Sequence, residues 1–209
     1  MVRRSKSSER WLREHFSDPW VKRAQVEGWR SRAVFKLEEI DRRERLLRPG
    51  MTVLDLGAAP GAWSQYARRQ VGRTGMVLAS DILPMDPLAG VDFIQGDFRE
   101  AEVAEQLRAA MGPGKGVDVL LSDMAPNLSG MDAIDAPRSA YLAELALEMA
   151  GEVLKPEGRA LIKVFQGAGF QELTAEARRR FQRVKFVKPD ASRARSAETY
   201  LLAGTRRMV

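Results

Sequence analysis

A chain of 209 residues with no cysteine and one histidine, His15, excludes disulfides and thiolate metal sites and makes a histidine-built metal site an unlikely expectation. Its length suits one domain with a buried core. No apolar run is long enough to span a bilayer, and Met1–Arg10 is basic without the apolar stretch of a secretory signal, so a cytoplasmic location is expected. The net charge of +6 is unevenly spread: residues 1–48 carry 14 Lys/Arg against 8 Asp/Glu, residues 49–177 carry 10 against 18, and residues 178–209 carry 10 against 2. Two basic ends around an acidic middle form a positive rim if they fold beside one site, the footprint of a nucleic-acid partner; the alternative is solvated surface charge.

Residues 1–30 read as a basic N-terminal arm, with residues 31–209 as the single domain that follows. Trp11, Phe16, Trp20 and Trp29 alternate with arginines and lysines there, a pattern that either stacks on bases or anchors the arm to the domain. From Ser31 to Leu47 a helix is expected, with Ser31 as its N-cap and Ala33, Leu37 and Ile40 as its apolar stripe. Lys36 falls beside that stripe, where it either snorkels to solvent or points into a site.

After Arg48-Pro49-Gly50 the pattern alternates. Strands are expected at about 52–56, 76–80, 91–94, 117–122, 158–165, 183–188 and 198–204, and helices at about 62–71, 99–111, 136–154 and 170–181. Such alternation gives an α/β fold: a mostly parallel seven-stranded sheet with helices on both faces. The final connection, Pro189 to Ala197, is too short for a helical crossover, so the last strand returns antiparallel. Leu128 to Pro137 is expected to be a loop near the site.

Ligands of open α/β sheets lie beyond the carboxyl ends of the strands. Asp55 and Gly57 close the first strand and lead into the turn Gly57-Ala58-Ala59-Pro60-Gly61. The third glycine of a dinucleotide fingerprint is missing, as is any P-loop, and an acidic strand end suits a cationic or hydroxyl-bearing ligand better than a phosphate. The amino-acid end of S-adenosylmethionine is such a ligand. Asp81 closes the second strand, placed for ribose hydroxyls, and Asp97 follows the third, placed for an adenine amino group. Asp123 follows the fourth. Each alone is also a common turn or cap residue. Lys163 interrupts the apolar run Ala160-Leu161-Ile162-Lys163-Val164-Phe165, and a buried ammonium needs a partner; Asp123 and Glu198 are the candidates.

Five stretches then carry a resemblance. Arg30-Ser31-Arg32-Ala33-Val34-Phe35-Lys36-Leu37, Asp55-Leu56-Gly57-Ala58-Ala59-Pro60-Gly61, Ser122-Asp123-Met124-Ala125-Pro126-Asn127-Leu128-Ser129-Gly130, Lys163-Val164-Phe165-Gln166-Gly167 and Ser196-Ala197-Glu198-Thr199-Tyr200 resemble, in order, the motifs of the FtsJ-type RNA ribose 2′-O-methyltransferases. The resemblance covers nearly the whole chain. It implies a Rossmann-like methyltransferase fold, S-adenosylmethionine as methyl donor, and a uridine ribose of large-subunit (23S) ribosomal RNA as acceptor. It further implies a catalytic set of Lys36, Asp123, Lys163 and Glu198. Donor contacts fall on Gly61, Trp63, Asp81, Asp97 and Asp123, beside the turn residues Asp55 and Gly57. Ala62 stands where the family often has a second glycine. A monomer acting within the ribosomal subunit, with no metal and no membrane, is the expected setting. Transfer RNA or an mRNA cap as substrate, and a non-catalytic ribosome-assembly factor, are the competing readings.

Overall fold

The computed structural model describes residues 18–112, 114–126, 131–193 and 196–207. Helix α1 (Pro19–Val26) opens the described chain, N-capped by Asp18, whose carboxylate accepts from the Trp20 amide at 2.9 Å. Helix α2 (Val34–Glu44) follows, then β1 (Thr52–Leu56), α3 (Ala62–Val71), β2 (Met76–Asp81) and β3 (Asp92–Gln95). The second half comprises α4 (Ala101–Met111), β4 (Val117–Ser122), α5 (Asp132–Val153), β5 (Leu154–Phe165), α6 (Phe170–Arg180), β6 (Phe181–Val187) and β7 (Glu198–Arg206).

The seven strands form one sheet in the order β3-β2-β1-β4-β5-β7-β6. Pairings among the first five strands are parallel, and β7 runs antiparallel to both of its neighbours, β5 and β6. The expected Rossmann-like sheet with a reversed last strand is therefore the observed one. Strand order reverses between β1 and β4, the switch point at which such sheets bind ligands.

Strand alternation sorts side chains into two apolar layers. Leu54, Leu56, Leu120, Ala160, Ile162 and Leu201 pack with α4, α5 and α6. Val53, Val119, Leu121, Leu161, Tyr200 and Leu202 pack with α1, α2 and α3. Odd-numbered positions of β1 and β5, odd positions of β4 from Val119 onward and even-numbered positions of β7 thus face the α1–α3 layer. Asp55, Asp123, Lys163 and Glu198 share that parity, and Lys36 lies on the helix that covers this face.

Several boundaries differ from the sequence reading. Helix α2 begins at Val34, not Ser31: the Ser31 hydroxyl accepts from the Ala33 amide at 3.3 Å in the preceding turn, so it does not cap the helix. Of the loop expected over 128–137, residues 128–130 lie outside the described residues, and the chain is helical from Asp132. The Ile134 and Asp135 amides both bond Met131 O at 2.9 Å and start α5 early, leaving Pro137 inside it. Strand β5 begins at Leu154, earlier than expected, because Val117 pairs with Leu154 before an irregularity that moves Val119 onto Arg159. Residues 1–17 of the basic arm lie outside the described residues; Val21 and Ala24 of α1 are buried, and Trp20 rests on Phe35 of α2 at 5.2 Å between ring centroids. Among the described residues no helix is long and apolar enough to cross a membrane.

Candidate active site

The turn after β1 is fixed from β2. Gly57 N and Ala58 N donate to Ser80 O at 2.9 and 3.1 Å, and Ala59 N donates to Asp81 Oδ2 at 2.8 Å. Asp81 Oδ1 takes the Leu83 amide at 2.8 Å, so one carboxylate orders both loops while keeping spare lone pairs for a ligand. Gly57 has φ +72°, and a Cβ there would meet Met124 Cγ at 2.3 Å; Gly61 has φ +103°, and its Cβ would meet Met85 Sδ at 2.8 Å. Only glycine allows both the backbone turn and this approach. Ala62 is accommodated as the first, buried residue of α3.

Asp55 is wholly buried. Its Oδ2 accepts from Ser64 Oγ at 2.6 Å, while Oδ1 has no hydrogen-bond partner among the described residues. Burial pushes this carboxyl up to about 7, against the Ser64 hydrogen bond, with Asp123 and Asp81 adding repulsion. Such an orphaned oxygen at a ligand-binding edge fits a cationic group of a bound molecule.

Lys36, Asp123, Lys163 and Glu198 form one connected network. Lys163 Nζ donates to Asp123 Oδ1 and to the Asp123 carbonyl, each at 2.8 Å, and stands 3.7 Å from Glu198 Oε2. Lys36 Nζ lies 2.7 Å from Glu198 Oε1 and 2.9 Å from Oε2. Lys36 therefore does not snorkel; its side chain is 13% exposed and turns inward. Burial alone would lower the Lys163 pKa, but Asp123 and then Glu198 outweigh it, so the amine is held above its ordinary value as an ammonium. Burial likewise pushes the Asp123 carboxyl up, and Lys163 and Lys36 reverse this and bring it below the usual range.

Two hydroxyls unassigned from the sequence join the network. Tyr200 Oη donates to Asp123 Oδ1 at 2.7 Å, and its phenol is held well above its ordinary pKa by burial and then by Asp123. Ser192 Oγ donates to Glu198 Oε1 at 2.8 Å. The β5–β7 register places Tyr200 opposite Lys163, a pairing that becomes readable only once the sheet is known. Arg30, too, had no role from the sequence: its guanidinium donates to Pro60 O, Asp86 O and Pro87 O at 3.0, 2.7 and 2.8 Å and ties the β1 turn to the loop after β2.

Trp63 and Asp97, also expected to contact the donor, have partners of their own. Trp63 is buried, donates from Nε1 to Ala33 O at 2.8 Å, and leans on Tyr200 at 5.7 Å between centroids. It thereby links α3, α2 and β7. Asp97 is gripped by Arg99, whose Nε lies 2.9 Å from each carboxylate oxygen; that pairing holds its carboxyl below the usual range.

A sequence profile described as FtsJ-like methyltransferase matches residues 29–206. The chain is 59% identical over 207 residues to a protein of Stenotrophomonas maltophilia (strain K279a) named ribosomal RNA large subunit methyltransferase E, covering 99% of this chain and 98% of that one. It is 57% identical over 202 residues to a protein of the same name from Legionella pneumophila (strain Paris), covering 97% and 98% of the two chains. Among solved structures, one described as a ribosomal RNA methyltransferase from Plasmodium falciparum superposes with a TM-score of 0.75 at 27% identity, over 85% of this chain and 98% of that one. With a matching profile over most of its length and relatives this similar end to end, the chain belongs to the FtsJ-like methyltransferase family.

Proposed function

We propose that the chain transfers a methyl group from S-adenosylmethionine to the ribose 2′-hydroxyl of a uridine in 23S ribosomal RNA, acting in the cytoplasm as a monomer on the large ribosomal subunit. The observation that carries this reading is the pair of inward-facing lysines held by two carboxylates where β4, β5 and β7 lie side by side, with Lys163 meeting Asp123 at 2.8 Å and Lys36 meeting Glu198 at 2.7 Å. The names of the relatives support ribosomal RNA as the acceptor.

The donor supplies a methyl group already activated on a sulfonium. Asp55, with its unpartnered oxygen, is assigned to the donor's ammonium group. Gly57 and Gly61 let the backbone come close, Asp81 and Asp97 accept from the nucleoside end, and Trp63 and Asp123 border the reacting side. What remains for the protein is to align one oxygen and release one proton.

In the ligand-free state Lys163 is an ammonium, so it holds the ribose oxygen and stabilises charge building there; it does not begin as a base. Lys36 supplies the second positive charge beside the same oxygen. Asp123 and Glu198 fix the two amines. The hydroxyl proton passes to solvent water as the oxygen forms its bond to carbon and the donor's carbon–sulfur bond breaks.

Lys163→Met tests the assignment, with methyl incorporation and donor binding measured side by side. Turnover should fall by about 10²-fold or more while the donor Kd stays within a few-fold. Undiminished turnover removes Lys163 from the chemistry.

A further inference from the structure

Glu198 stands between the two lysines, and its orientation decides whether both stay in reach of one carboxylate. Oε1 takes Lys36 Nζ at 2.7 Å and the Ser192 hydroxyl at 2.8 Å, while Oε2 takes Lys36 at 2.9 Å and faces Lys163 at 3.7 Å. Lys36 reaches both oxygens and so does not by itself fix the plane of the carboxylate. The Ser192 contact falls on one oxygen only, and it turns the other toward Lys163.

The loop carrying Ser192 is tied to the helix that carries Lys36. Glu39 of α2 accepts from the Asp190 amide at 2.8 Å and the Ala191 amide at 3.3 Å, and Ser192 N donates to Pro189 O at 2.9 Å. Arg32, just before α2, donates to Ala191 O. Ser192 itself is buried, at 6% exposure. Hydroxyl and ammonium therefore approach Glu198 from one bonded unit.

We propose that Ser192 is a positioning residue of the reaction centre: its hydroxyl orients Glu198 so that the carboxylate bridges Lys36 and Lys163. The proposal rests on the reading of those residues as the methyl-transfer site. It assigns Ser192 no contact with donor or ribose. Its loss acts on kcat through Glu198, and leaves donor affinity and RNA KM alone.

The experiment uses the full chain in three forms. Ser192→Ala should lower kcat about tenfold, the scale of one hydrogen bond to a charged group, with donor Kd and RNA KM within twofold of wild type. Ser192→Thr, which keeps the hydroxyl, should recover most of that loss. In a Glu198→Ala background, Ser192→Ala should add nothing, because the group it acts through is gone. Apart from turnover, the ¹⁵Nζ resonance of the Lys36 ammonium should show several-fold faster proton exchange with water in Ser192→Ala. An equal loss of kcat with and without Glu198, or full turnover together with an unchanged Lys36 resonance, overturns the proposal. A changed Lys36 resonance with turnover intact in both Ser192→Ala and Glu198→Ala supports the Ser192 contact and instead overturns Glu198 as part of the reaction centre.

Discussion

Asp55 and Asp123 end neighbouring strands and face the same helix layer, yet their carboxyls move in opposite directions. Burial raises Asp55 to about 7 because the hydrogen bonds from Ser64 offset it only in part. Burial acts on Asp123 as well, but Lys163 and Lys36 overcome it and Asp123 stays ionised. The environment thus separates two aspartates that the sequence presents alike. A stability consequence follows for Asp55. Its ordinary pKa of 3.8 is the unfolded one, so between about pH 4 and pH 7 the folded chain keeps a proton that the unfolded chain has lost. Its contribution is fully present below about pH 4 and is lost as pH rises through 7. Urea unfolding of wild type and Asp55→Asn should give a stability difference that shifts in the mutant's favour by on the order of 4 kcal/mol from pH 4 to pH 8. A difference independent of pH would show that Asp55 does not titrate there. Lys163 was legible in the sequence because a cation in an apolar strand demands a partner, and two were at hand. Lys36 was not legible from periodicity, since its angular position beside the Ala33–Ile40 stripe suits solvent as well as a site. Ser192 and Tyr200 were hidden because a hydroxyl's partner depends on register and loop path.

The elements bring the site together through parity and one turn. Odd positions of β1 and β5 and even positions of β7 share a face, so Lys163 and Glu198 meet Lys36 of α2 and Asp123, which follows β4, while Asp55 meets Ser64 of α3. Alternation of strands and helices was enough to foresee the sheet and the reversal of β7. The start of α5 was harder to see: Pro137 reads as a first-turn residue, yet the Met131 carbonyl initiates the helix upstream of it. The early start of β5 was equally hidden, because the irregular pairing over Leu154–Gly158 has no periodic signal. The β1 turn allows a sharp test at this scale. Gly57→Ala places a Cβ 2.3 Å from Met124 Cγ at φ +72°. The left-handed backbone alone costs about 1–2 kcal/mol, and moving Met124 adds to it. Chemical denaturation should show at least that loss, and donor affinity measured by calorimetry should fall with it; a neutral substitution would mean that the turn does not need its close approach.

At the scale of the whole molecule, the described parts of the two basic ends meet. Glu39 of the N-terminal region binds the backbone at Asp190 and Ala191, Arg32 reaches Ala191 O, and Lys185 pairs with Glu44. Segments far apart in sequence thus lie together, as a positive rim formed from both ends of the chain requires. The fold was legible at this scale from strand–helix alternation, and the clustering of Lys36, Asp123, Lys163 and Glu198 from five motifs in order. The acceptor is what the residues around the lysines leave open, since they read a ribose and not its surroundings. The most direct measurement is therefore a map of ribose methylation on large-subunit RNA from cells lacking the protein, before and after incubation of purified subunits with the wild-type chain and labelled S-adenosylmethionine. The account predicts one 2′-O-methyluridine in 23S RNA, missing beforehand and restored by wild type but not by Lys163→Met. Label on a base, on transfer RNA alone, or equally with Lys163→Met would contradict it.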